Sequence, residues 1–207
     1  MAKKISFSSL IKFIFDFSFA IFLIVILSPV FFLISILIFM EDGFPIIFKQ
    51  KRIGLKGNLF MIYKFRSMKN NTELLADKYY CYEGDKRITK IGKFIRKYSL
   101  DELPQIINIL KSEMSFIGPR PAIHDELEYE IIDKNLVNVI KLRTKVKPGI
   151  TGYAQVKSRN DLTWNEKLKL DKVYLNMDEK KRLFTDFLII FLTIKEILYS
   201  KGIYDKK

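Results

Sequence analysis

The sequence predicts an α+β fold, mostly helical, with a small β-hairpin and an N-terminal membrane helix that enters a bilayer, breaks and returns. Three features carry this reading. Residues 17–40 hold no charged side chain. Two β-branched and aromatic runs, 46–48 and 59–66, flank a turn-rich stretch at 54–58. From residue 88 onward, apolar side chains recur at helical spacing. We divide the 207 residues into a re-entrant membrane helix, 1–40, and a cytoplasmic domain, 41–207, which is long enough to bury a core.

The apolar run comes first. As a straight helix it would measure about 36 Å, against a hydrocarbon core of about 30 Å. It is too long for a cleaved leader, and no small-residue cleavage site follows it. Ser28-Pro29 stands at its middle, where proline removes a backbone hydrogen bond. Lys3, Lys4 and Lys12 precede the run, and Lys49, Lys51, Arg52 and Lys56 follow it. Basic flanks mark the cytoplasmic side. One crossing would leave one cluster on the wrong face, whereas a break at Ser28-Pro29 keeps both inside. A kinked single span is the alternative.

In the second strand, alternation places Phe60, Ile62, Lys64 and Arg66 on one face, so the two cations project together. Ile88, Ile91, Ile95 and Tyr98 line one side of a basic amphipathic helix, suited to an acidic bilayer surface or to a core contact. Leu103, Ile106, Ile107, Leu110 and Met114 form the next stripe. Residues 124–134 read as an acidic surface helix, and 147–152 as a turn leading into a short strand at 153–156. Thr163-x-x-Glu166 is a capping box opening a helix towards Lys180. Residues 183–199 make a final apolar helix, whose Asp186, Lys195 and Glu196 argue against a second span.

Thirty-six Lys and Arg against 23 Asp and Glu give a net charge of +13. The partner this implies is anionic: lipid headgroups, nucleic acid or a phosphorylated small molecule. No nucleic-acid motif is present and the membrane segment argues against that class, so no nucleic acid is expected. The lone Cys81 cannot form an internal disulfide, which suits a reducing compartment, and the lone His124 reads as structural.

The chemistry concentrates in Ser99-Leu100-Asp101-Glu102-Leu103-Pro104-Gln105, with Arg96-Lys97 just before it and Gly118-Pro119-Arg120-Pro121 after. Ser99-x-x-Glu102 fits a capping box, in which both acids merely satisfy free amides. The functional alternative starts from the affinity of a helix N-terminus for phosphate. Adjacent helical residues point in different directions, so Asp101 and Glu102 suit separate tasks, one attacking phosphorus and one holding a metal. A carboxylate approaching a pyrophosphate is repelled by about 4 kcal/mol per charge pair at 4 Å and an effective dielectric of 20. Mg²⁺ and the cations of Arg96, Arg120, Lys64 and Arg66 would offset that repulsion.

The motifs, taken in order, resemble one family, the bacterial sugar transferases or monotopic phosphoglycosyl transferases. They are Ser28-Pro29, Gln50-Lys51-Arg52-Ile53-Gly54, Lys64-Phe65-Arg66-Ser67-Met68 and the run from Ser99 to Gln105. Met114 to Pro121, Lys147 to Gly152, Ala154-Gln155-Val156, Arg159-Asn160 and Asp171-x-x-Tyr174 continue the series. The chain looks like the small catalytic-core form, without an extra transmembrane bundle. The resemblance implies Mg²⁺-dependent transfer of a sugar 1-phosphate from a UDP-sugar to polyprenyl (undecaprenyl) phosphate, releasing UMP, as the first membrane step of glycan assembly. It implies Asp101 as nucleophile in a ping-pong route, and Asp101 and Glu102 as metal ligands. Lys64, Arg66, Arg96, Arg120, Gln155 and Arg159 would bind substrate or phosphate, and residues 159–169 are where the sugar would be read. The implied location is the inner leaflet of the bacterial cytoplasmic membrane, with the catalytic domain facing the cytoplasm and later glycosyltransferases of the pathway as partners. The rival reading is a non-catalytic, membrane-anchored basic protein that binds acidic lipids or scaffolds an assembly. It gives no reason for two carboxylates beside a proline-flanked arginine.

Overall fold

The computed structural model describes residues 7–70, 84–123, 133–157 and 162–199. Lys3, Lys4, Cys81, His124, Arg159 and nearly all of the acidic stretch at 124–134 lie outside the described residues. The first element, α1, runs Phe7–Asp42 as a single 36-residue helix with Pro29 inside it. Its assignment continues through Ser28-Pro29, where the sequence suggests a break. The reason is local. Proline has no N–H for the carbonyl four residues back, that of Val25, and the Ser28 hydroxyl donates to that oxygen at 2.7 Å. Ser28 thus replaces the donor that Pro29 removes. In apolar surroundings an unpaired carbonyl is costly. Ser28→Ala should therefore lower stability by about 1–2 kcal/mol, read as a fall in the melting temperature of detergent-solubilised protein; an unchanged transition would refute this role.

Strands β1 (Ile47–Ile53) and β2 (Leu59–Phe65) form the expected antiparallel hairpin, with Ile47 opposite Phe65 and Ile53 opposite Leu59. Lys56 and Gly57 take positive φ in the turn. Phe60 and Ile62 pack with Ala20 of α1 and with Ile106, Ile109 and Met114. Phe65 packs with Ile34 and Ile38 of α1 and with Ile95 of α2 (Lys90–Lys97).

Helix α1 is tied to the domain near both ends. Lys12 Nζ pairs with Asp186 at 2.9 Å, and Asp16 Oδ1 accepts from Phe116 N at 3.2 Å. At the other end, the two carboxylate oxygens of Glu41 accept from Lys90 N at 2.6 Å and Ile91 N at 2.8 Å, so α1 caps α2. Lys12 and Glu41 are about 44 Å apart along a straight helix. The outward face is apolar and exposed, at Phe22, Val25, Phe32, Leu33 and Met40.

The Ser99 region departs from expectation. Ser99 has φ +56 and its side chain makes no capping bond, so the anticipated capping box is absent; Glu102 N reaches only the Ser99 carbonyl, at 3.2 Å. Residues Leu100–Gln105 form a 3₁₀ turn that passes into the short helix α3 (Ile106–Leu110), which ends well before Met114. A left-handed residue at the entry turns the Ser99 side chain away from the following amides.

Beyond α3, β3 (Ser115–Ile117) pairs in parallel with β4 (Gly149–Thr151). The strand expected at 153–156 is instead helix α5 (Tyr153–Lys157), because the part of this segment able to lie against β3 begins at Gly149. Helix α4 is Val137–Arg143, and α6 is Trp164–Leu175. The Thr163–Glu166 capping box forms as expected, but α6 stops at Leu175 rather than nearing Lys180. The last helix, α7 (Glu179–Tyr199), restarts behind Asp178, whose side chain accepts from Lys181 N at 2.9 Å. Its buried Asp186 accepts from Tyr174 Oη at 2.6 Å as well as from Lys12, which accounts for an acid within an apolar helix.

Candidate active site

The site forms where the 3₁₀ turn meets the end of β2 and the loop after β3. Asp101 and Glu102 are both buried. Glu102 Oε1 accepts from Lys64 Nζ and from Arg120 Nη2, each at 2.8 Å. Lys64 is where alternation along β2 places it: it shares a face with Phe60 and Ile62, which dive into the core while its longer side chain reaches the carboxylate. Asp101 differs from its neighbour. Among the described residues its buried Oδ1 has no hydrogen-bond partner, and the Nε of Arg96 is in the same condition.

The electrostatics separate the two acids. Burial pushes the Asp101 carboxyl up, against the opposing pull of Lys64 and the nearby Arg96 and Arg120. Burial would raise Glu102 too, but Arg120 and Lys64 outweigh it and hold that carboxyl far below the usual range. The Lys64 ammonium is in turn lowered by burial, with Glu102 opposing. Adjacent carboxyls with divergent environments suit divergent roles. Glu102 is a fixed anion that gathers cations, and Asp101 is an unpartnered oxygen among them.

Among the described residues no cluster of three or more His, Cys, Asp or Glu could cage a metal. The donor set is the two carboxylates, with Asp101 Oδ1 unclaimed. That fits a hard cation held by one or two carboxylates and otherwise by phosphate and water, as Mg²⁺ is held.

Arg120 is mounted on a loop held from outside. Pro119 and Pro121 contribute no N–H, and four consecutive carbonyls are taken by donors from other elements. Gly149 N donates to Pro119 O at 3.0 Å, and Ile53 N to Ala122 O at 3.0 Å. Arg52 Nη1 donates to Pro121 O at 2.9 Å, and Arg143 Nη2 donates to Arg120 O. Three glycines let the loops close: a Cβ on Gly149 would lie 2.1 Å from Gly118 N, and one on Gly152 would lie 2.1 Å from Gly118 O.

Two expected site residues fall elsewhere. Arg66 does not join Lys64, because β2 ends at Phe65 and the chain turns. Its guanidinium bonds the Asp42 and Gly43 carbonyls at 2.8 and 2.7 Å, fastening the end of α1. Gln155 sits on α5, donating to Ile150 O at 3.3 Å, and makes no hydrogen bond to the carboxylate pair. The sequence reading passed over Arg143, whose partners are distant in the chain. The usable signal was a loop stripped of donors by two prolines, with carbonyls that demand partners from elsewhere.

The family model described as bacterial sugar transferase matches residues 7–200. An uncharacterized sugar transferase of Bacillus subtilis, EpsL, is 38% identical over 94% of this chain and 90% of its own length. The undecaprenyl-phosphate galactose phosphotransferase of Salmonella typhimurium is 38% identical over 95% of this chain, which spans 42% of that protein. The UDP-glucose:undecaprenyl-phosphate glucose-1-phosphate transferase of Escherichia coli is 36% identical over 91% of this chain, which spans 40% of it.

Proposed function

Since the chain belongs to the bacterial sugar transferase family, we propose that it transfers a sugar 1-phosphate from a UDP-sugar to undecaprenyl phosphate at the cytoplasmic face of the inner membrane. The observation that carries this reading is the buried, unpartnered Asp101 oxygen beside a Glu102 that holds Lys64 and Arg120. Asp101 attacks the sugar-bearing phosphorus of the UDP-sugar. A bond forms from carboxylate oxygen to phosphorus, the bridging phosphorus–oxygen bond breaks, and UMP leaves with the electron pair. The phosphate oxygen of undecaprenyl phosphate then attacks the same phosphorus, breaking the bond to Asp101 and restoring the carboxylate. No bond to the anomeric carbon is touched, so its configuration is retained.

Arg96 and Arg120 hold the pyrophosphate oxygens, and Lys64 keeps Glu102 and Arg120 in register. Asp101 and Glu102 would hold Mg²⁺, which supplies positive charge against the repulsion between carboxylate and phosphate. The soluble donor and the lipid-borne acceptor use one site in turn. The alternative of a non-catalytic scaffold leaves the unpartnered Asp101 Oδ1 and the cations around it without a purpose.

The re-entrant reading of α1 draws its support from contacts near both ends with one domain, Lys12 with Asp186 and Glu41 with α2. A straight crossing would carry one of those anchors to the far side of the bilayer.

The test is to incubate the purified protein with single UDP-sugars and Mg²⁺ but no lipid acceptor. About one equivalent of UMP should appear, with a phosphosugar adduct on the peptide carrying Asp101 that adding undecaprenyl phosphate discharges. Turnover that strictly requires both substrates together, with no adduct, would overturn the two-step route.

A further inference from the structure

The geometry points to Arg143 as a positioning residue for Arg120, braced by Asp171 and Trp164; this rests on the reaction proposed above. Arg143 ends α4, is almost fully buried, and donates through Nη2 to the Arg120 carbonyl. Its Nε lies 2.8 Å from Asp171 Oδ2, and Asp171 is 2% exposed. The guanidinium carbon stands 5.0 Å from the centre of the Trp164 ring. Charge neutralisation on one edge and stacking on one face leave the other edge aimed at the loop.

The reach of this arrangement follows from the loop's construction. Pro119 and Pro121 supply no N–H, and donors from other elements meet four consecutive carbonyls of the loop, which fixes its course there. The bond at residue 120 is the one closest to the side chain in question. It fixes the peptide plane from which the Arg120 guanidinium extends to Glu102 Oε1. Asp171, Arg143, the Arg120 carbonyl, the Arg120 guanidinium and Glu102 thus form one continuous chain from the α4–α6 core to the carboxylate pair. Arg52 holds the next carbonyl, that of Pro121, from the hairpin side.

A lysine cannot meet both Asp171 and the Arg120 carbonyl with a planar fork. Arg143→Lys keeps the buried charge balanced, so the protein should fold. It should slow adduct and UMP formation by about 10²-fold, the cost of displacing a catalytic group by about 1 Å. Because the effect passes through Arg120, adding Arg143→Lys to Arg120→Ala should cost less than about threefold more. Amide hydrogen exchange should rise in the peptide covering 118–123 and stay unchanged in α1 and the hairpin; Asp171→Asn should reproduce that local rise. Multiplicative losses in the double variant, or exchange that rises throughout the protein, would mean Arg143 only stabilises the fold and would overturn the inference. An unchanged exchange rate at 118–123 would do the same. Should the wild-type protein release UMP from no UDP-sugar, the proposed reaction fails, while the exchange measurements still decide whether Arg143 orders the Arg120 loop.

Discussion

On the proposed mechanism Asp101→Asn should lower turnover by at least about 10⁴-fold, and yet unfold at a higher temperature than the wild type. The two outcomes have one cause. Burial raises the Asp101 carboxyl, so folding favours its protonated form. The stability this group contributes is full below the ordinary aspartate range and is lost as pH rises through its raised value. Ionising the side chain therefore works against the fold, leaving an oxygen that nothing among the described residues satisfies. A neutral amide of the same shape removes that opposition. The acid limb of kcat/KM should accordingly lie above the range of an exposed aspartate, because the proposed attack needs the ionised form. Glu102→Gln gives the opposite stability result. Its carboxyl is depressed, so its contribution is present above the ordinary glutamate value and is lost as pH falls. Removing its charge leaves Lys64 and Arg120 facing one another. Arg120 is partly screened by water, so the lower end for a broken buried pair applies, about 3 kcal/mol, which is about 6–12 °C for a chain of this size. Thermal unfolding of both variants at neutral pH checks the opposed signs, and a destabilised Asp101→Asn would refute this account of the site.

Gly149→Ala should prevent normal folding. Its Cβ would fall 2.1 Å from Gly118 N and 2.4 Å from Thr151 O, both backbone atoms that no rotamer can move aside. Relief requires β3 and β4 to separate, which breaks the Gly149 N bond to Pro119 O and releases the Arg120 loop. Overpacking of a flexible core typically costs about 1–3 kcal/mol, and a backbone clash should exceed that. Gly57→Ala is the contrast: nothing lies within 4 Å of its added Cβ, and only its φ of +80 opposes the change. Expression and circular dichroism of the two variants side by side should separate them clearly.

Much of the site was legible in the sequence because its parts follow local periodicity. Two-residue alternation set Lys64 on the same face as Phe60 and Ile62, and the proline flanks of Arg120 announced a stiff mount. Local reasoning failed where a chain direction changed. Arg66 was carried one residue past the end of its strand, and the expected Ser99 capping box ignored the left-handed turn that the 3₁₀ segment needs. The loop-bracing roles of Arg52 and Arg143 were missed for another reason. Their partners are carbonyls 69 and 23 residues away, and in a chain rich in lysine and arginine nothing in their own neighbourhoods distinguishes them.

Helix α1 also works as a gauge. Asp16 grips the strand that leads to Arg120, and Glu41 grips the helix whose last turn carries Arg96. The spacing between Arg96 and Arg120 is therefore referred to a single rod of 24 residues between those acids. Inserting one residue into that rod would swing one grip by about 100° around the axis relative to the other, so its length is as constrained as any side chain in the site.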